Sequence, residues 1–149
     1  MGVLRRIRRL RRRDAVLLWQ ALGAVLLARA YLWRVAHHRL RRLIESYPGP
    51  AAPAPRTDLA EIAWSVRNAA RLVPGATCLT QASAGQLLLA KRGLASTIRL
   101  SVPAQAPAPG RLAPHAWLMA VDTIVLGGTA KDYARHRALH DFTLPGART

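Results

Sequence analysis

Cysteine and phenylalanine each occur once in these 149 residues, and seven acids stand against 23 lysines and arginines. A single thiol excludes an internal disulfide framework, and no repeated Cys/His spacing suggests a structural zinc site, so no metal is expected. A reducing, cytoplasmic compartment fits that cysteine usage best. Aromatic residues make up only 5% of the chain, and no nucleic-acid-binding motif accompanies them, so no nucleic-acid partner is expected. Long apolar runs are also missing. From Ala15 to Ala28 only Gln20 is polar, and this run of about 14 residues is short of the ~20 that a membrane span needs. At this length the chain holds one modest core.

The positive charge is present in abundance and is unevenly placed. Residues 1–57 carry 13 basic against 2 acidic residues (+11), and residues 58–149 carry 10 against 5 (+5). An anionic partner would therefore meet the N-terminal segment, 1–46, where seven arginines lie between Met1 and Arg13. Asp14 reads as the N-cap of the apolar helix that follows, which turns amphipathic through Arg34, His37, His38, Arg39, Arg41 and Arg42. Three readings of this helix compete. It packs on the domain or on a partner protein; it lies on a membrane surface as a basic amphipathic helix; or, with Ala28-Arg29-Ala30 as a cleavage site, it imitates a signal peptide.

Prolines at 48, 50, 53 and 55 mark residues 47–57 as a linker, because proline lacks the N–H that helix or sheet needs. A domain of residues 58–149 follows. Thr57 or Asp58 caps its first helix, along which Leu59, Ile62, Val66, Ala69 and Val73 recur on one face until Pro74. A second helix starts at Thr77 or Cys78 and runs to about Arg92, with Gly93 as its stop. Ser96 to Val102 alternates as a half-buried strand, Pro103 to Gly110 is a loop, and His115 to Val121 is a second strand. Asp122-Thr123 reads as the turn into a third, Ile124 to Leu126. From Lys131 the tail lacks strong periodicity and reads as a short helix or loop. The order predicts an α+β fold: a helix starting at the thiol packs on a small antiparallel sheet that carries a histidine.

Cys78 is the candidate nucleophile. Unpaired N–H groups and the partial positive charge of a helix start favour thiolate. His115 is the candidate general base and then acid, since cysteine acyl transfer needs an imidazole that takes and returns the proton. The Cys78 backbone N–H is one candidate oxyanion donor, and Gln81, on the same helix face, can lean back toward the substrate carbonyl. Trp117 shares the strand face of His115 and either walls the site or packs the core. His37, His38, His136 and His140 lack acidic or thiol companions and read as surface groups.

These residues resemble a known family. Ile62-Ala63-Trp64-Ser65-Val66-Arg67, Val73-Pro74-Gly75-Ala76-Thr77-Cys78-Leu79-Thr80-Gln81-Ala82, Leu87-Leu88-Leu89, Arg92-Gly93, Pro114-His115-Ala116-Trp117 and Val125-Leu126-Gly127-Gly128 look like the leader peptidase of lasso-peptide biosynthesis. The resemblance covers about residues 59–128 and implies a transglutaminase-like, papain-type cysteine protease fold. It also implies removal of the leader from a ribosomally made precursor peptide, without a cofactor. A small leader-recognition protein would deliver the substrate, and an ATP-dependent cyclase would act on the product. Nothing before residue 57 reads as a recognition domain, so the stand-alone form is expected.

Family members often carry an acid about a dozen positions beyond the histidine, where this chain has Gly127. Asp122 lies seven residues along an extended strand, about 23 Å from His115 at ~3.3 Å per residue. If Asp122-Thr123 is the hairpin turn, the residue opposite His115 falls near Ala130, which brings Thr129 or Asp132 closer. The orienting group is then Asp132, Asp122, a backbone carbonyl or water, or there is no conventional orienter. Two other functions compete with peptide hydrolysis: a related acyltransferase, in which an amine resolves the thioester, and a basic nucleic-acid or membrane-surface binder.

Overall fold

The computed structural model describes residues 11–47, 52–105 and 114–144. Arg5 to Arg9 of the basic run, prolines 48 and 50, and residues 106–113 of the second proline-rich segment lie outside them. The described residues form α1 (Arg12–Trp33), α2 (His37–Glu45), α3 (Arg56–Ala70), α4 (Cys78–Lys91), β1 (Thr97–Pro103), β2 (His115–Ala120), β3 (Thr123–Leu126), α5 (Ala130–Tyr133) and β4 (His136–Thr143). This is the predicted α+β arrangement, with one antiparallel sheet in the order β3-β2-β1-β4.

Local chemistry explains most element ends, and corrects several expectations. Asp14 sits inside the first turn of α1 and does not cap it; the cap position is Arg11. A carboxylate there still favours the helix dipole. The helix expected to run on through Arg42 breaks at Val35, whose φ of 53° is left-handed. Ala36 N–H closes the last turn onto Tyr31 O at 2.8 Å, and α2 starts afresh. No glycine announces this break. α3 likewise begins at Arg56 after Pro55, with no side-chain cap from Thr57 or Asp58. Asp58 pairs instead with Arg92 at 2.6 Å.

α4 is the central element. Nearly every residue from Thr80 to Ala90 is buried, because α1 and α3 pack on one side of the helix and β2 on the other. Small residues at Ala82, Ser83, Ala84 and Gly85 allow that close approach. A Cβ on Gly85 would stand 2.5 Å from Leu118 Cδ2 and 2.9 Å from Leu126 Cδ1, both on fully packed side chains. Buried Gln86 ties the helix to the sheet, donating to Phe142 O at 3.0 Å and Ser96 O at 3.3 Å.

The N-terminal helix belongs to the same core. Ala21, Ala24, Val25 and Ala28 cluster with Ile62, Val66, Leu87 and Leu118, so residues before 47 are not a body apart from those after 57. At the described end of the proline-rich segment, Ala52 donates to Gly93 O at 2.8 Å and accepts from Ala95 N–H at 2.7 Å. In the sheet, the turn between β2 and β3 is centred on Val121-Asp122, and Val121 has φ 54°. β4 was not expected. It is an edge strand with most of its side chains exposed, so it carries no alternation of apolar and polar residues.

Candidate active site

The loop from Leu72 to Thr77 delivers Cys78 to the first position of α4. Gly75 turns the chain at φ 76°, and Arg29 of α1 donates to Pro74 O at 3.4 Å. Thr77 then caps the helix reciprocally: its hydroxyl accepts from Thr80 N–H at 3.3 Å, while Thr80 Oγ1 accepts from Thr77 N–H at 3.2 Å. This capping box uses the third amide of the helix and leaves those of Cys78 and Leu79 without intrahelical partners, as the first turn of any helix requires. Cys78 is half-buried, and its thiol is free.

His115 stands at the first residue of β2. Cys78, Gln81 and His115 line one cavity of about 440 Å³ together with Arg67, Ile124 to Leu126, Gly127, Gly128 and Thr129. His115 Nε2 lies 2.7 Å from Gly127 O. A carbonyl only accepts, so Nε2 carries the proton and Nδ1 keeps its lone pair in the neutral ring. A fixed tautomer of this kind suits an imidazole that must take a proton from a thiol.

The orienting partner is thus a backbone carbonyl of the residue where an acid was expected. After the bulge between Leu118 and Met119, Leu118 pairs with Leu126, and the chain leaves the sheet at Gly127 instead of continuing opposite His115. Gly127 has φ 125°, and a Cβ there would stand 2.7 Å from Trp117 Cε3 and 3.1 Å from Ala116 O. An aspartate cannot occupy this position without displacing Trp117. Asp132 is engaged elsewhere: its Oδ2 accepts from Thr129 Oγ1 at 2.7 Å and Thr129 N–H at 3.1 Å, capping α5. Those two bonds, the hydroxyl's first, hold its carboxyl below the ordinary range. Asp122 is exposed in the turn at the far end of β2. Among the described residues no ion pair reaches His115.

Trp117 does not line the cavity. It is 1% exposed and lies behind His115, ring edge to ring face, with centroids 4.5 Å apart. Its indole N–H donates to Ser101 Oγ at 2.7 Å. Ser101 Oγ is also 3.0 Å from His136 Nδ1. His136, expected at the surface, therefore belongs to the support of the site, 5.4 Å from Trp117 and 5.6 Å from His115 between ring centroids. Its place depends on β4, which periodicity did not reveal. Arg67 also lines the cavity, a role that the sequence around Trp64 and Ser65 does not signal, and its guanidinium donates to Val125 O at 3.5 Å. No cluster of three metal-ligating side chains occurs among the described residues.

The arrangement offers a thiol and an imidazole of fixed tautomer lining a common cavity, with the thiol on a helix start whose first amides lack intrahelical partners, and these are groups that thioester-forming acyl transfer uses. Compared with known families, the sequence matches the model of the transglutaminase-like superfamily over residues 21–140. No curated protein and no solved structure matches it.

Proposed function

The chain belongs to the transglutaminase-like superfamily, whose members are typically cysteine proteases or acyltransferases, and we propose that it is a cysteine peptidase that removes the leader from a lasso-peptide precursor. The observation that carries the chemistry is the shared cavity of Cys78 and His115, with His115 Nε2 held by Gly127 O at 2.7 Å. The ordered motifs between residues 59 and 128 support the choice of substrate.

In the forward half-reaction, His115 Nδ1 takes the Cys78 proton and Sγ attacks the scissile carbonyl carbon. The oxyanion forms at the α4 N-terminus, where the Cys78 and Leu79 amides and the Gln81 side chain stabilise it. His115 returns the proton to the departing amine, which leaves as one product and its thioester partner stays on Cys78. Water then loses a proton to His115, attacks the thioester and frees the leader acid and the thiol. The carbonyl of Gly127 holds the imidazolium formed midway in each half. The precursor and a small leader-recognition protein are the partners in this reading, with the cyclase acting on the released amine in the cytoplasm.

The test combines the purified chain with a candidate precursor and its recognition protein, with products read by mass spectrometry. Two fragments whose masses sum to the precursor plus one water are expected, and Cys78→Ala and His115→Ala should give none. Full cleavage by Cys78→Ala would sink the mechanism. Incorporation of an added amine at the leader carboxyl, in preference to water, would favour the acyltransferase.

A further inference from the structure

The face of α1 turned away from the core is apolar from Val16 to Trp33 except for Gln20 at its edge. Val16, Trp19, Gly23, Leu26, Ala30 and Trp33 repeat at intervals of three and four and are all exposed, which places them in one stripe about 26 Å long at 1.5 Å per residue. Trp19 and Trp33 are 73% and 71% exposed, and Val16 and Leu26 are 55% and 51% exposed. Nothing among the described residues covers the stripe. Apolar groups are not expected to gather so regularly in water unless something else buries them.

The charges at the ends of the stripe identify the occupant. Arg12 lies one turn before Val16 and Arg34 one turn after Ala30, on the same face, and neither forms an ion pair among the described residues. The sequence before Arg12 carries five further arginines, and the chain as a whole is +16. In a helix lying flat the whole strip sits at one depth, so its indoles seat at the headgroup level, its aliphatic side chains reach the acyl boundary, and the guanidiniums beside it meet lipid phosphates. We propose that this face of α1 docks on an anionic lipid bilayer with the helix axis in the membrane plane.

Although its uninterrupted apolar run is only about 14 residues, the 22-residue helix α1 as a whole is long and apolar enough to cross a membrane by length and composition. Crossing is opposed by its other face. Leu17, Ala21, Ala24, Val25 and Ala28 are buried, four of them in the core with α3 and α4, and insertion would pull them out. Lying flat buries the free stripe and leaves that core intact.

Flotation of the full chain with vesicles of phosphatidylcholine alone, or with about 30% phosphatidylglycerol, tests the proposal. The chain is expected to float with the anionic vesicles, and brominated acyl chains should quench its tryptophan fluorescence. A Trp19→Gln, Leu26→Gln, Trp33→Gln variant should bind those vesicles at least about tenfold more weakly and lose the quenching, with its circular dichroism unchanged. Quenching in the unaltered chain stands on its own should the variant fail to fold. The proposal is overturned if the chain floats with neither vesicle, if bromine does not quench, or if the variant binds as well as the parent, which would leave binding to the arginines alone. It is also overturned if sedimentation shows a dimer that the variant abolishes, since the stripe would then be covered by a second copy.

Discussion

His115 donates its Nε2–H to a neutral carbonyl, and a carbonyl stabilises the imidazolium less than a carboxylate would, since it offers only a dipole where the carboxylate offers a full opposite charge. What Gly127 supplies instead is direction, because the chain can pass close over Trp117 only where there is no Cβ. Two substitutions separate charge from backbone. Gly127→Ala and Gly127→Asp should each destabilise by about 2–4 kcal/mol, from strain at a left-handed φ and collision with the indole. Both should also lower kcat/KM tenfold or more as the carbonyl moves. Urea unfolding and peptide-cleavage kinetics measure the two effects. A rise in kcat/KM for the aspartate variant would show that an acid is wanted there and that the loop yields to it. Cys78 and His115 were legible as candidates because each follows a turn signal at the start of an element. The role of Gly127 was not, since a backbone carbonyl has no residue type to betray it.

α4 carries two separable demands, and one helix meets both. Its first turn must present Cys78 with amides unpaired, which falls to the Thr77 capping box; its middle must approach the sheet closely, which falls to Gly85. Thr77→Ala should cost about 1 kcal/mol in stability and also reduce kcat/KM, because the frayed turn carries Cys78, the proposed nucleophile. Gly85→Val should cost about 1–3 kcal/mol by overpacking against Leu118 and Leu126, while the folded fraction keeps its kcat/KM. Chemical denaturation beside steady-state kinetics distinguishes them; an equal loss of activity in both would refute the division. The start and stop of α4 could be read from Thr77 and Gly93 because capping is local chemistry. The break at Val35 could not. A left-handed valine is opposed by local sterics, so it is imposed by the packing of α2 against the rest. β4 escaped for a related reason: its exposed face leaves only pairing with β1 to define it, and pairing leaves no periodic trace.

For the molecule as a whole, helices from both sides of the proline-rich segment share one core. A fragment of residues 58–149 lacks Ala21, Ala24, Val25 and Ala28 and should show no cooperative thermal transition, whereas the full chain should show one. A sharp transition in the fragment would mean that α1 is dispensable. The sheet's outer face adds a dependence on acid. Arg99 spans Asp141 with hydrogen bonds of 2.8 and 2.7 Å and also donates to Tyr133 Oη. The Arg99 hydrogen bonds hold the Asp141 carboxyl below its ordinary range, so its folded pKa is lower than its unfolded one. Its contribution is therefore complete above about pH 4 and disappears as pH falls through the lower folded value. Asp141→Asn should remove that part of the acid-induced loss of stability, modestly because the pair is partly solvated; urea midpoints between neutral pH and pH 3 would show it.

The sequence by itself determined the capped start of α4, the alternating strands, the choice of Cys78 and His115 as candidates, and the basic, apolar character of the N-terminal helix. These follow from side-chain type and spacing over a few residues. Only the tertiary structure decided that the helix joins the core, that an edge strand brings His136 behind the site, and that Gly127 O holds the imidazole. Each of those depends on backbone groups or on faces meeting across dozens of residues, where composition has no say and close packing does.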